Sequence, residues 1–112
     1  MTINARIETA LASIGCPVGF QRLDDGAYVT TFPSITYFTY LEQPEEWAED
    51  TETARGYYVQ VDIWAKENYL TLKDSVVTAM RAAEFGYLEA QHLTEIDNIY
   101  HCALRFKYTE FL

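Results

Sequence analysis

In the middle of the chain, the spacing of the hydrophobic residues changes from two residues to three or four. Between residues 57 and 66 apolar and polar positions alternate, which predicts a β-strand with one face formed by Tyr57, Val59, Val61, Ile63 and Ala65. From Leu72 to Ala83 the apolar residues recur at helical spacing, which predicts a helix with Asn68 as its N-cap. We expect Gly86 to close this helix in the left-handed conformation.

A second amphipathic helix is predicted at residues 3–14. Its apolar stripe consists of Ile3, Ile7, Ala10, Leu11 and Ile14. Gly15 and Pro17 are expected to end it, because Gly adopts the left-handed conformation easily and Pro lacks the N–H that a helix needs. Residues 16–34 are expected to form mostly loop, with a turn at Asp24-Asp25-Gly26 and a short extended piece at 18–21.

Three further strands are predicted at residues 35–42, 87–93 and 99–111. The first pairs antiparallel with 57–66 across a long loop at 43–56, and a turn at Asp97-Asn98 joins the last two. In the final strand the alternating pattern predicts an inward face of Tyr100, Cys102, Leu104, Phe106 and Tyr108. It predicts that His101, Arg105 and Lys107 point outward. The order α-β-β-α-β-β predicts an α+β fold, in which two helices cover one face of a four-stranded, largely antiparallel sheet.

Length and charge narrow the classes of function. The 112 residues predict a single domain, residues 1–112, and the net charge of −9 argues against a protein that binds nucleic acid through its phosphates. No apolar run reaches the roughly 20 residues of a membrane span. Cys16 and Cys102 lack metal-binding spacing, and we expect them to stay reduced in the cytoplasm. We find no nucleophile motif or phosphate-binding loop, so we expect neither an enzyme nor a cofactor.

Large aromatic residues are predicted on the sheet face that the helices do not cover. They are Phe38, Tyr40, Tyr58 and Trp64. A solvent-facing sheet face normally carries fewer large rings, so this excess predicts a second burial surface, most simply against another subunit. Trp47 is a fifth candidate for that interface, because an exposed Trp is a common interface anchor.

A dense acidic cluster lies in the predicted loop after the first strand. Its carboxylates are Glu42, Glu45, Glu46, Glu49, Asp50 and Glu52. They lack the register and the glycine of a calcium loop, so we expect no metal site but a solvated loop that contacts a neighbour or rims a channel. His92 and His101 lack further ligands and are expected to be ordinary hydrogen-bonded histidines. Asp62 is expected to be an outward-facing acid.

Several segments together give the chain a family resemblance. They are the helix from Ile3 to Ile14 with Gly15-Cys16-Pro17-Val18, the strand Thr36-Tyr37-Phe38-Thr39-Tyr40, the run from Gly56 to Lys66 followed by the helix from Tyr69 to Ala83, and the strand from Tyr100 to Phe106. The Gln-Val-Asp-Ile-Trp-Ala core of the third segment is the most specific. In these features the chain resembles the small tail completion, or head-to-tail joining, proteins of long-tailed bacteriophages and prophages. Tail terminator proteins are similar in shape and position.

The resemblance implies a structural protein of the virion, made in the bacterial host cytoplasm. Such a subunit forms a ring, usually a hexamer, at the head-proximal end of the tail tube. Its partners would be copies of itself, the head connector and the tail-tube protein, and DNA would pass through without binding. The residues leave two other hypotheses open: a small soluble module that binds a ligand or protein on the aromatic sheet face, and a carboxylate- or metal-dependent hydrolase that uses residues 42–52.

Overall fold

The computed structural model describes residues 1–20, 32–94 and 98–112, so the turns predicted at Asp24-Asp25-Gly26 and, in part, at Asp97-Asn98 lie outside it. Two helices and five strands follow one another along the chain. They are α1 (Ile3–Leu11), β1 (Val18–Phe20), β2 (Ser34–Ala48), β3 (Thr51–Ala65), α2 (Leu70–Ala82), β4 (Gly86–Thr94) and β5 (Tyr100–Phe111).

The strands form one mixed sheet in the order β1-β2-β3-β5-β4. The predicted α+β class and its two helices are confirmed, but the sheet has five strands rather than four. The additional strand is the short piece expected near residue 18, which pairs in parallel with β2, with Val18 opposite Ile35. The Ile35 amide donates to the Pro17 carbonyl at 2.9 Å, so the residues after α1 extend the sheet.

Both helices pack on the same face of the sheet. The helices contribute Ile7, Leu11, Val76 and Met80, and the strands contribute Ile35, Tyr37, Val59, Val61, Ile63, Cys102, Leu104 and Phe106 to the same core. Since β3 supplies only alternate residues, its remaining side chains must point to the other face. Each large apolar side chain buried here stabilises the fold by roughly 1.5–3 kcal/mol.

The start of α2 differs from the prediction by one residue. Tyr69 occupies the N-cap position, although the Asn68 side chain still accepts a hydrogen bond from the Leu70 amide at 2.9 Å. The prediction for the other end is wrong: Glu84, with φ of 72°, is the left-handed residue, and Gly86 begins β4. The chain reverses two residues early because Phe85 must enter the core, where it is 1% exposed.

The long loop predicted at 43–56 is also wrong. β2 and β3 continue through this region as a hairpin whose turn is Glu49-Asp50, with φ values of 51° and 66°. Two successive residues with positive φ match the twist of a tight two-residue hairpin. This segment is a strand rather than a loop because its charged residues pair with the opposite strand. Composition does not reveal that pairing.

The hairpin projects from the sheet as an arm, defined here as residues 41–57. β4 begins at Gly86, opposite Lys107 and Tyr58, whereas β5 continues beside the arm until Phe111 pairs with Ala54. Pro44 lies within the β2 side, and β-bulges occur between Pro44 and Glu46 and between Glu46 and Trp47. The arm contributes to an elongated molecule of 54 × 30 × 22 Å.

Candidate functional site

Four of the five predicted interface aromatics lie together on the sheet face opposite the helices, called here the second face. Tyr58 and Trp64 alternate with the core residues of β3, and Phe38 pairs with Gln60 on the same side. The Tyr40 ring lies 6.1 Å from the Tyr58 ring. These rings are partly exposed, and Tyr40 is exposed by 39%. The second face is therefore a half-buried aromatic surface.

Asp62 lies at the centre of the second face and is only 4% exposed. It points away from the helices, as predicted for an outward-facing acid, but its neighbours bury it. Its Oδ1 atom accepts hydrogen bonds from His101 Nε2 at 2.6 Å and from Gln60 Nε2 at 2.8 Å. Because an ionised carboxylate can only accept, His101 must carry its proton on Nε2 in this contact. Neighbouring side chains of the second face cover this acid, and its hydrogen bonds offset the cost of burying it.

Further contacts fix the rings around this acid. The Trp64 indole stacks on His101 at 4.0 Å between ring centroids and donates its Nε1–H to Thr36 Oγ1 at 3.0 Å. Arg105 donates to Gln60 Oε1 at 3.2 Å, and its guanidinium lies 4.9 Å from the centre of the Tyr40 ring. Hydrogen-bonded rings lose little side-chain freedom when a partner covers them, so this surface is preorganised for contact.

Sequence reasoning missed Thr36, Gln60 and Arg105 as members of this surface. Nothing in their residue types marks them, but their register does. Gln60 lies between Tyr58 and Asp62 on the same face of β3, and Arg105 pairs directly with Gln60. Cross-strand neighbours on one face are the pairs that interact in a sheet, and the strand pairing was needed to find them.

Three of the six predicted acidic-loop residues have basic partners within the arm and sheet. Glu42 and Glu52 both contact Arg55, at 3.2 and 2.5 Å, and Glu45 contacts the Lys107 ammonium at 2.9 Å. The hydrogen bond from Arg55 lowers the pKa of Glu52, and the bond to Glu45 raises the pKa of Lys107. These three acids therefore hold the arm together, and their charges are balanced by cations of the same chain.

The other three acids, Glu46, Glu49 and Asp50, are exposed around the turn of the arm. Among the residues described, none of the three has a basic partner. Trp47 lies beside them and is 63% exposed. Residues 46–50 are called here the tip. It combines one large apolar ring with a rim of unneutralised carboxylates, and it lies apart from the second face.

The histidines and cysteines form no common site. His92 pairs with Cys102, and its Nδ1 lies 2.6 Å from the Tyr69 hydroxyl on the helix side of the sheet. The His101 side chain lies on the opposite face of the sheet. Both cysteines are free, and burial raises the pKa of each thiol, which makes both poor nucleophiles.

Within residues 1–20, 32–94 and 98–112 we find no group of three or more metal-ligating side chains and no helix long and apolar enough to cross a bilayer.

A groove of about 370 Å³ opens where β3 ends and α2 begins. Its apolar walls include Phe32, Pro33, Tyr69 and Leu72. Lys66 lies at its edge, with its ammonium 4.8 Å from the centre of the Phe32 ring. Sequence reasoning did not find this groove, because its walls come from segments about 30 residues apart in the chain.

No protein-family model and no curated protein matches this chain. Its function must therefore be inferred from its surfaces. The second face, the tip and the groove offer flat aromatic area, fixed hydrogen-bonding groups and an apolar recess. Such features are typical of protein–protein contacts, in which aromatic residues and Arg are enriched.

Proposed function

We propose that this chain is a structural subunit that assembles with copies of itself into a ring at the head-proximal end of a phage tail. The ring would join tail to head, in the role of a tail completion or tail terminator protein, and DNA would pass through it. The observation that carries the proposal is the second face, where partly exposed rings surround a buried, hydrogen-bonded acid. The resemblance of the sequence to tail completion proteins supplies the biological setting.

The second face has the makeup of a surface that a partner covers. Its aromatic rings are held in place by their neighbours, and one Arg lies against them. Aromatic residues and Arg dominate binding energy at interfaces, mainly because they bury large areas with few rotatable bonds. The helices cover only the opposite face, so none of the described helices competes for this surface. A second copy is the simplest partner for a ring subunit.

The charge of the chain suits the passage of DNA. With 17 acidic and 8 basic residues, the net charge is −9. Neutralisation of phosphates by Lys and Arg drives DNA binding. Among the described residues, Arg55, Lys73, Arg105 and Lys107 are already paired with acids of this chain. A ring of such subunits would guide DNA without retaining it.

The test is the oligomeric state of the purified chain across a concentration series, measured by light scattering. We expect association of the wild type, and we expect Tyr40→Ala to weaken it about tenfold or more, as for an interface hot spot. Tyr87→Ala is the matched control. Tyr87 is 38% exposed and also contacts one ring of its own chain, but it lies on the helix side of the sheet.

Mass spectrometry and electron microscopy of particles from the encoding phage complete the test. We expect the chain in purified particles, at the joint between head and tail. A chain that remains monomeric at high concentration and is missing from particles would overturn the proposal. A monomer that binds a ligand on the second face would instead favour the small binding module. Equal weakening by the two tyrosine variants would show that the second face is not the contact.

A further inference from the structure

We propose that the tip of one copy docks into the groove of the next copy, head to tail, with Trp47 as the anchor. This inference rests on the proposed function, because it names a contact through which the ring subunits join. It adds an occupant for the groove and a partner for the unpaired acids of the tip. Neither feature belongs to the second face.

The groove has the shape and charge to accept such an anchor. Its volume of about 370 Å³ lies within the range of ligand pockets in proteins. Its lining combines the apolar side chains of Phe32, Pro33, Ala65, Tyr69 and Leu72 with the polar ones of Lys66, Glu67 and Asn68. Lys66 is exposed at its edge, and its one contact among the described residues is with the Phe32 ring rather than with a carboxylate. The groove therefore offers an apolar recess beside a cation that, among the described residues, is not paired even with the neighbouring Glu67.

The tip has the complementary character. Trp47 is 63% exposed at the far end of the arm, where a side chain can enter a recess. The exposed residues Glu46, Glu49 and Asp50 are its close neighbours along the chain. Placed at the groove of a neighbour, Trp47 would bury its ring, and an acid of the rim would reach Lys66. An aromatic anchor inside a charged rim is the arrangement in which a few residues supply most of the binding energy.

The two surfaces lie at opposite ends of the molecule. The tip precedes the first residue of β3, Thr51, and the groove begins at its last residue, Ala65. The fourteen steps from Thr51 to Ala65 span about 46 Å at roughly 3.3 Å per residue, so a copy cannot place its own tip in its own groove. A contact between different surfaces at opposite ends is heterologous, and it closes into a ring when the rotation between copies permits.

Cysteine cross-linking between two single variants tests the docking directly. Ala48→Cys places a thiol beside Trp47, and Glu67→Cys places one at the groove, while both leave the anchor and Lys66 intact. The background carries Cys16→Ser, and the fully buried Cys102 remains. Mixed at equal amounts under mild oxidation, the two variants should give at least fivefold more disulfide-linked heterodimer than either variant gives homodimer. Thr78→Cys, exposed on α2 away from the groove, replaces Glu67→Cys as the control.

Each result separates this inference from the proposed function. Preferred heterodimer with Glu67→Cys, but not with the Thr78→Cys control, supports docking of tip into groove. Preferred homodimer of Ala48→Cys would mean that tips meet tips, and it would overturn the inference. If the wild type associates but the two cysteine variants give no preferred cross-link, the inference is overturned and the ring proposal remains. Absence of both association and cross-links would overturn both.

Charge reversal provides a second, independent measurement. Lys66→Glu should weaken association about tenfold, and Glu49→Lys in the same chain should restore at least part of it, because each contact would again pair opposite charges. Trp47→Ala should weaken association at least tenfold, whereas Tyr87→Ala, 38% exposed on the helix side of the sheet, should not. Association that is unchanged by Trp47→Ala, or no recovery in the charge-reversed pair, would contradict the docking.

Discussion

The buried acid of the second face gives a prediction that tests its physical description. Asp62→Asn keeps the shape of the side chain and removes its charge. The amide oxygen can still accept from His101 and Gln60, whose donors lie 2.6 and 2.8 Å from Oδ1. The substitution therefore changes the strength of two hydrogen bonds while keeping their number, and it should leave the fold intact.

The magnitude follows from the kind of acceptor. A hydrogen bond to a charged group contributes about 1.5–3 kcal/mol, and a neutral one about 0.5–1.5 kcal/mol. The difference over two bonds is about 2 kcal/mol, and relief of the cost of burying a charge reduces it to roughly 1–2 kcal/mol. The unfolding entropy of a chain of 112 residues makes 1 kcal/mol equal to about 4 °C in Tm, so we expect a decrease of about 4–8 °C.

The assay is thermal unfolding followed by circular dichroism at a concentration at which light scattering shows a monomer. Glu89→Gln is the matched control, because it makes the same chemical change on the second face. Its carboxylate lies 3.3 Å from Arg105, but its side chain is 59% exposed, so we expect a change below about 0.5 kcal/mol. If Asp62→Asn unfolds at the wild-type temperature, or if the two variants shift equally, the acid is screened by water and the described network contributes little.

Two further predictions concern the helix side of the sheet. Burial and the hydrogen bond to Glu8 raise the pKa of Tyr37, so the protonated hydroxyl stabilises the folded chain. This stabilisation is complete below the unfolded-state pKa of about 10 and is lost as the pH rises through the higher folded-state pKa. Tyr37→Phe should therefore lower the free energy of unfolding by about 1 kcal/mol at neutral pH. Above pH 10, urea titrations should show that the variant loses stability less steeply than the wild type; equal dependence of the two stabilities on pH would contradict this. Glu84→Gly should raise Tm by about 2–4 °C, because Gly adopts the left-handed φ of 72° without strain; a lower Tm would mean that the Glu84 side chain makes a stabilising contact.

The sequence predicted those parts of the fold that depend on apolar periodicity. The helices and the core strands follow because Val59, Val61 and Ile63 alternate and Val76 and Met80 recur at helical spacing. It failed where periodicity is absent. The short extended piece at 18–21 was expected, but its parallel pairing with β2 was not, because three residues are too few to show which strand they join. The charged residues of the arm look like a loop until strand pairing is known. The end of α2 was misjudged because the burial of Phe85, a tertiary requirement, overrode the local preference for Gly.

The same distinction applies to the candidate surfaces. Phe38, Tyr58 and Trp64 were placed on one face because a strand alternates, and that placement needs only local information. The burial of Asp62 needs its neighbours on β5, and the groove needs segments distant in the sequence. The acidic cluster was treated as one unit, yet Arg55 and Lys107 bind half of it. Which carboxylates are neutralised depends on cross-strand partners, which composition cannot supply.

Pro44 and the two bulges beside it have a consequence for the growth of assemblies. A strand edge with an unbroken row of N–H and C=O groups can recruit strands from other molecules without limit. On the β2 side of the arm, Pro44 lacks an N–H, and the bulges interrupt the regular spacing of donors and acceptors. Copies that meet at the arm must therefore associate through side chains, which fix one geometry. The interruption therefore protects the protein from edge-to-edge assembly into a fibril.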